Sequence, residues 1–219
     1  ILILGSTGML GSEVLKVFVE SKKFNIAASV RSKKNLKFLK FEKFQKINFF
    51  KFNILQDSVR KLRKFIKKDT IIINCIGIIK PNINENSVRS VLNAVKINSV
   101  FPCNLNNEFA EKNKIYQIAT DCVYDGSGKL YSENSPHNAL DVYGKSKSLG
   151  EINNKNFFNI SLLNKKKLSK LFEDIGVNED ELKTLKYTNK IQELSKDPKA
   201  LNNEISYVRK KIDEIKSEK

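Results

Sequence analysis

Three glycines near the start of the chain have the spacing of a phosphate-binding turn. Gly5, Gly8 and Gly11 follow the apolar run 1–4 and precede a helical pattern of apolar residues. Glycine tolerates positive φ and lets a ligand touch the backbone. The helix N-terminus then presents unpaired N–H groups and partial positive charge to a pyrophosphate. The pattern, G-x-x-G-x-x-G, predicts dinucleotide binding by the glycines and by Ser6, Thr7, Met9 and Leu10 between them.

A second pattern, later in the chain, combines a tyrosine and a lysine at helical spacing. Tyr143 and Lys147 are four residues apart, which places both on one face of a helix. The spacing Y-x-x-x-K occurs by chance on many surface helices. Here it lies downstream of a glycine turn, and the hydroxyl of Thr120 ends the strand predicted before it. The combination is therefore specific, and we interpret these three residues as a catalytic set.

The elements that must position these residues alternate along residues 1–160. Apolar runs predict six strands, and periodic apolar residues predict helices between them, with Ser87 as the N-cap of one. The predicted strands are 1–4, 25–30, 49–53, 70–77, 115–120 and 157–160, and the later helices are 59–68 and 87–98. Such alternation predicts an α/β fold, a doubly wound parallel (Rossmann) sheet with its ligand at the carboxyl ends of the strands.

The end of the second predicted strand bears on the choice of cofactor. An NAD site usually has Asp or Glu about 20 residues after the glycines, on the ribose hydroxyls. This chain has Arg31 instead, with Lys33 and Lys34 close by. The basic residues favour NADP, because they would pair with its 2′-phosphate, while NAD stays open. The alternative is a surface run of charge with no ligand.

The formal net charge of +16 raises the question of a nucleic-acid partner. From residue 31 to residue 68 there are 14 basic and two acidic residues. We find no nucleic-acid-binding motif among them. We interpret the charge as a lysine-rich solvated surface and expect no nucleic-acid partner.

The three cysteines, Cys75, Cys103 and Cys122, are odd in number and scattered. They fit neither a disulfide framework nor a zinc site, so we expect no metal and a reducing cytoplasm. No apolar run approaches the roughly 18 residues of a membrane span, and no signal-peptide pattern is present. We therefore expect a cytoplasmic protein with no membrane partner. Because the chain starts on a strand without a methionine, it could be a fragment that lacks its first residues.

Several segments together resemble the extended short-chain dehydrogenase/reductases, and within them the dTDP-4-dehydrorhamnose reductase branch. The resemblance covers residues 1–160 and rests on the glycine turn and on segments 74–77, 97–98, 119–126, 131–133 and 142–147. Members of that branch reduce nucleotide-linked keto-sugars with NAD(P)H, which is the function that the resemblance implies here. It also implies that Thr120 bonds the substrate carbonyl, Tyr143 donates the proton and Lys147 holds the nicotinamide ribose.

The resemblance further implies a group of cofactor-lining positions. These are Asn53 after the third strand, Cys75, Ile76 and Gly77 after the fourth, and Asn98. For Asn98 two roles stay open, because it either lies below the cofactor or bonds backbone at a bend before Pro102.

Reduction of a carbonyl makes demands that these residues can meet. The carbonyl becomes an alkoxide and needs a proton, while an unperturbed tyrosine has a pKa of about 10. A lysine ammonium and a nicotinium nearby would both lower that pKa, so the sequence predicts a lowered pKa for Tyr143. Thr120 would donate to the developing oxyanion. His137 follows Pro136 in a polar stretch, and we interpret it as a loop residue.

The resemblance ends after Ile160. Residues 161–219 are predicted to form a charged helical tail in place of a substrate domain, with a heptad seam at Leu201, Ile205, Val208, Ile212 and Ile215. Such a tail either docks on the sheet or pairs with another chain, as a homodimer or another helix-mediated assembly; a chimeric reading frame is a third explanation.

Without a substrate domain, we expect this chain alone to bind cofactor with little or no turnover. The alternatives are a nucleotide-sugar epimerase or dehydratase, and a non-catalytic nucleotide-binding module.

Overall fold

The described part of the chain is built around one parallel sheet. The computed structural model describes residues 1–32, 34, 47–127, 131–132 and 134–161. The strands are β1 (Leu2–Leu4), β2 (Ala27–Val30), β3 (Asn48–Lys51), β4 (Ile72–Asn74), β5 (Ile115–Ile118) and β6 (Phe157–Ile160). Their order is β3-β2-β1-β4-β5-β6, and every neighbouring pair is parallel. This confirms the predicted doubly wound sheet.

Four α-helices accompany the sheet in this part of the chain: α1 (Met9–Ser21), α2 (Val88–Val95), α3 (Phe101–Phe109) and α4 (Val142–Leu149). Short 3₁₀ helices cover Val59–Phe65, Lys80–Asn82 and Asp121–Val123. The Ser87 hydroxyl accepts the Ser90 N–H at 3.4 Å, which confirms the predicted N-cap of α2. None of the described helices is long and apolar enough to cross a bilayer.

The basic segment predicted as a helix over 59–68 is instead a 3₁₀ helix. A 3₁₀ helix has three residues per turn, so Val59, Leu62 and Phe65 lie in one line along it. Leu62 is fully buried, and the Phe65 ring stacks on Phe50 with centroids 3.7 Å apart. The like-charged Arg and Lys residues between them also disfavour an α-helix at i, i+4 spacing.

The helix predicted to end near Asn98 continues, which corrects the sequence prediction. After α2 the chain forms a π-helical turn (Lys96–Val100) and passes directly into α3, which the sequence did not predict. Pro102 has no N–H to give to the carbonyl four residues earlier. The wider turn accommodates this loss, and the Phe101 N–H bonds the Lys96 carbonyl instead.

The main core lies where α3 covers the sheet. Phe101, Leu105 and Phe109 of α3 are buried against strand residues such as Leu4 and Ile72. Burial of such side chains is the main favourable contribution to folding. Lys33, Glu133 and all of the predicted helical tail 161–219 except Ser161 lie outside the described ranges.

Candidate active site

The glycine turn after β1 has a shape that only glycine supports. Gly5 has φ +79°, and a Cβ on it would lie 2.8 Å from Ile76 Cγ1. The Gly8 N–H donates to the Gly5 carbonyl at 3.0 Å and closes the turn. The strand, turn and helix predicted at residues 1–18 are therefore present.

The N-terminus of α1 keeps its first backbone donors available for an anion. Gly8 is the N-cap and brings no side-chain cap, and the first turn has no acidic residue. The Ser12 N–H bonds the Gly8 carbonyl at 2.9 Å, so Met9, Leu10 and Gly11 precede the first α-helical bond. Gly8 and Met9 are exposed, and Thr7 and Leu10 are partly exposed. This arrangement fits the pyrophosphate of a dinucleotide.

Ser6, predicted beside the ligand, holds the turn against β2 instead. It is fully buried, and both its N–H and its Oγ donate to the Ser29 carbonyl, at 3.1 and 2.9 Å. The Gly5 N–H donates to Ser29 Oγ at 2.9 Å. Neither donor of Ser6 is left for a phosphate.

The other predicted cofactor-lining residues follow strands on both sides of the turn. Arg31 is exposed directly after β2. Asn53 closes the turn after β3, where its Oδ1 accepts the Leu55 N–H at 3.1 Å. Cys75 and Ile76 lie against Gly5, and burial raises the pKa of the Cys75 thiol to about 12, so it stays protonated. Gly77 is exposed beside them.

Asn98 proves to bond backbone, although not at a bend before Pro102. It lies in the π-helical turn and is 1% exposed. Its Oδ1 accepts the Ile78 N–H, and its Nδ2 donates to the Ile78 carbonyl and to Ser146 Oγ, all at 3.0 Å. Asn98 thus ties the loop after β4 to α4.

Thr120 and Tyr143 are brought together at the carboxyl end of β5. Thr120 follows the strand, Tyr143 lies in the first turn of α4, and the Thr120 hydroxyl is near enough to the phenol to act on its pKa. Gly144 permits this contact, since a Cβ there would lie 2.1 Å from the Cys122 carbonyl oxygen. Any other residue would force α4 away from the turn that carries Thr120.

The pKa of Tyr143 is raised in the structure, whereas the sequence analysis predicted that it would be lowered. Burial raises the pKa of Tyr143, the hydrogen bond from Thr120 opposes that rise, and the charges of Cys122 and Asp141 add to it. Lys147 does not contribute, because its ammonium points to the sheet. The four-residue spacing correctly places Tyr143 and Lys147 on one face of the helix. It does not predict which acceptor the Lys147 ammonium bonds.

Lys147 is a buried cation with a backbone partner. It is 7% exposed, and its Nζ donates to the Ile118 carbonyl oxygen at 2.5 Å. Burial lowers the pKa of Lys147 to about 8, against the opposing effect of Glu151. An ammonium has three N–H donors, so two remain for a ligand after the bond to Ile118.

Residues that the sequence analysis missed anchor α4. Asp141 accepts the Gly144 N–H at 2.7 Å as the N-cap, and its carboxylate pairs with Lys80 at 2.7 Å. Glu85 accepts the Val142 N–H at 2.8 Å. An aspartate just before a helical pattern is a typical N-cap signal and could have been used.

Two further side chains contact the second half of α4, and no sequence pattern indicated either contact. Ser99 Oγ donates to the Ser146 carbonyl at 2.7 Å. His137, interpreted as a loop residue, has its Nδ1 2.8 Å from Ser148 Oγ. Across the described residues, no group of three or more His, Cys, Asp or Glu side chains could hold a metal ion.

A parallel sheet of order 3-2-1-4-5-6, with a glycine turn after β1 and a Thr-Tyr-Lys set after β5, defines a Rossmann-fold protein of the short-chain dehydrogenase/reductase type. More specifically, the model for the RmlD substrate binding domain matches residues 1–160, and the chain belongs to that family. Its fold is thus a sugar nucleotide-binding fold.

Solved structures share this fold at low sequence identity. One is a hypothetical dTDP-4-dehydrorhamnose reductase from Sulfolobus tokodaii, with TM-score 0.57 and 22% identity over 73% of this chain and 54% of the other. Another is the UDP-glucuronic acid 4-epimerase from Bacillus cereus in complex with NAD, with TM-score 0.55 and 19% identity over 68% of this chain and 48% of the other.

The curated relatives are named neither as reductases nor as epimerases. Methionine adenosyltransferase 2 subunit beta from Danio rerio is 28% identical over 69% of this chain and 42% of its own length. The Xenopus tropicalis protein of the same name is 30% identical over 68% of this chain and 41% of its own length. The chain thus spans less than half the length of these relatives.

Proposed function

We propose that this chain is the dinucleotide-binding part of an NADPH-dependent reductase that acts on a nucleotide-linked keto-sugar. The observation that carries the proposal is the placement of Thr120 beside Tyr143 at the end of β5, with the buried Lys147 one turn further along α4. These groups lie at the carboxyl edge of the sheet, the edge at which the open turn after β1 also lies. A dinucleotide whose pyrophosphate sits on α1 would extend along this edge.

When bound, the reduced nicotinamide supplies a hydride to the substrate carbonyl. The Thr120 hydroxyl donates a hydrogen bond to the carbonyl oxygen as negative charge develops there. The Tyr143 O–H gives its proton to that oxygen. The raised pKa of Tyr143 keeps the phenol protonated before reaction, and an alkoxide is basic enough to take the proton. Lys147 would hold the ribose of the cofactor with its two remaining N–H donors.

The test compares two Tyr→Phe variants of the same chain. Tyr143→Phe removes the proposed proton donor, while Tyr131→Phe removes a hydroxyl that donates to Asp125 in the segment after β5. NADPH binding is measured by nicotinamide fluorescence, and NADPH oxidation is followed with dTDP- and UDP-linked 4-keto-sugars. Because we expect little turnover from this chain alone, the protein is used in excess over the sugar for a single slow turnover.

We expect all three proteins to bind NADPH. Wild type and Tyr131→Phe should oxidise it at the same rate, and Tyr143→Phe should be slower by about 10²- to 10⁴-fold, the usual effect of a general acid. Oxidation by Tyr143→Phe at the wild-type rate would refute the role of Tyr143. No dinucleotide binding by wild type would refute the function itself.

The names of the curated relatives support a second candidate function, a non-catalytic dinucleotide-binding subunit of a methionine adenosyltransferase. In that case the chain should co-elute with a methionine adenosyltransferase catalytic subunit in size-exclusion chromatography. The Tyr143→Phe variant should co-elute equally well, since no chemistry is required. Separate elution at micromolar concentrations of both proteins would count against this candidate.

A further inference from the structure

Two buried amide side chains lie next to each other on β4 and β5, and the mechanism above does not use them. Asn74 Nδ2 donates to Gln117 Oε1 at 2.6 Å, and the two residues are 0% and 2% exposed. They face each other in the register of the two strands. Burial of an amide is unfavourable unless it is bonded, so the bonds that each of these side chains makes determine whether it can be buried.

The pair changes the hydrogen bonding of the sheet just after Asn74. The Ile72 N–H donates to the Lys114 carbonyl. In a parallel ladder this pattern repeats every two residues, so Ile76 should donate to the Ile118 carbonyl. Instead, the Ile76 N–H donates to Asn74 Oδ1 at 3.1 Å. The side chain of Asn74 thus ends the ladder and releases the Ile118 carbonyl.

The released carbonyl oxygen is the partner of Lys147. It accepts Lys147 Nζ at 2.5 Å and Gln117 Nε2 at 3.1 Å. A carbonyl oxygen has two lone pairs, and these two donors fill them. The chain of bonds therefore runs from the loop that lies against Gly5, through both amides, to the buried ammonium.

We propose that Asn74 and Gln117 are positioning residues, which hold the Ile118 carbonyl open for Lys147 and so fix its ammonium for the cofactor ribose. This inference rests on the proposed function only for the ribose contact. The bond between Lys147 and Ile118 is a contact within the chain itself. Glu151 is the charged residue that acts on Lys147, and the variants below leave it unchanged.

The direct test is Asn74→Val, which removes the acceptor that captures the Ile76 N–H. The ladder should then extend by one bond, and the Ile76 N–H would compete with Lys147 for Ile118. A second variant, Gln117→Met, has nearly the same length but leaves Asn74 without its acceptor, and should act in the same direction. Circular dichroism and size-exclusion chromatography establish whether each variant folds. One folded variant of the two is enough for the test.

Two readouts separate positioning from packing. The first is the pH dependence of acetic anhydride labelling at Lys147, read by mass spectrometry of its peptide, which needs no ligand. The second is NADPH affinity, measured for each variant alone and in a Lys147→Met background. A residue that acts through Lys147 has no effect once Lys147 is gone.

We expect the labelling midpoint of Lys147 to fall below its wild-type value in both variants, because the ammonium loses its best acceptor. NADPH affinity should drop about tenfold, the typical worth of one hydrogen bond to a charged group, with no further drop in the Lys147→Met background. An unchanged midpoint in a folded variant would overturn the proposal, as would an equal drop in both backgrounds. If wild type does not bind NADPH, the proposed function fails while the labelling still decides the role of the two amides.

Discussion

Lys147 Nζ lies 2.5 Å from the Ile118 carbonyl oxygen, so the cation of the candidate site is bound to the sheet rather than to Tyr143. The side chain is almost fully buried, and burial lowers its pKa to about 8 from the ordinary 10.5. The unfolded chain therefore binds more protons than the folded chain between pH 8 and 10.5. Within that window, stability rises with pH as the unfavourable burial of the charge disappears.

Lys147→Met should stabilise the protein at neutral pH. The lowered pKa corresponds to a burial cost of roughly 3 kcal/mol below pH 8, and loss of the bond to Ile118 offsets about 1.5 kcal/mol or more of the gain. We expect a net gain of up to about 1.5 kcal/mol at pH 7 that vanishes near pH 10.5. Urea unfolding at both pH values measures it, with exposed Lys145→Met as the control. An equal effect at both pH values would contradict the buried charge.

Gly8→Val should abolish dinucleotide binding while the domain stays folded. A Cβ at Gly8 would lie 3.3 Å from the Gly5 carbonyl, a contact that small shifts relieve, but the side chain would block the approach of a pyrophosphate. Gly11→Ala differs, since its Cβ would lie 2.1 Å from the same oxygen and should unfold the turn. Nicotinamide fluorescence and circular dichroism separate the two outcomes. Unchanged affinity in folded Gly8→Val would remove the turn from the cofactor site.

Arg31→Ala should weaken NADPH binding much more than NADH binding. Arg31 is exposed directly after β2, where a 2′-phosphate would lie. A charge-assisted bond is worth about 1.5–3 kcal/mol, or roughly tenfold or more in affinity. Parallel titrations with both cofactors measure the ratio, and exposed Lys68→Ala removes the same charge elsewhere. Equal losses for NADPH and NADH would show that Arg31 does not select the cofactor.

Asp141→Ala should cost about 1 kcal/mol of stability at pH 7, the usual worth of an N-cap, while Asp141→Asn keeps most of the cap. The Gly144 N–H, and then Lys80, hold the pKa of the Asp141 carboxyl below its ordinary 3.8. Its contribution is thus complete above about pH 4 and is lost as pH falls through the lowered pKa. Urea unfolding at pH 7 measures whether the Asp141→Asn variant is more stable than the Asp141→Ala variant. An Asn variant as unstable as the Ala variant would assign the effect to the pair with Lys80.

The sheet and the glycine turn could be predicted because their signals are local. Apolar runs such as 70–77 mark a strand buried on both faces, and Gly5 marks a turn with positive φ. The sequence also placed Thr120, Tyr143 and Lys147 at one edge of the sheet, and the structure agrees.

The remaining features depend on contacts between distant segments. The partner of Lys147 is the Ile118 carbonyl, and the neighbouring Ile76 N–H bonds the Asn74 side chain instead of that carbonyl. The π-helical turn at Asn98 combines the missing donor of Pro102 with a bond to Ser146, 48 residues away. No periodicity in the sequence reports such long-range bonds. The same holds for the burial that raises the Tyr143 pKa.

The N-terminus of α1 has no side-chain cap, so an anion bound there would contribute to the stability of the fold. Serine and aspartate cap α2 and α4, but Gly8 leaves α1 without this support. A bound anion would replace the missing cap, and a ligand at 100 times its dissociation constant adds about 2.7 kcal/mol to the stability of the folded state. The first βαβ unit would then be least protected against proteolysis when the dinucleotide is scarce. The rate at which a cell degrades the protein would therefore depend on the supply of the dinucleotide.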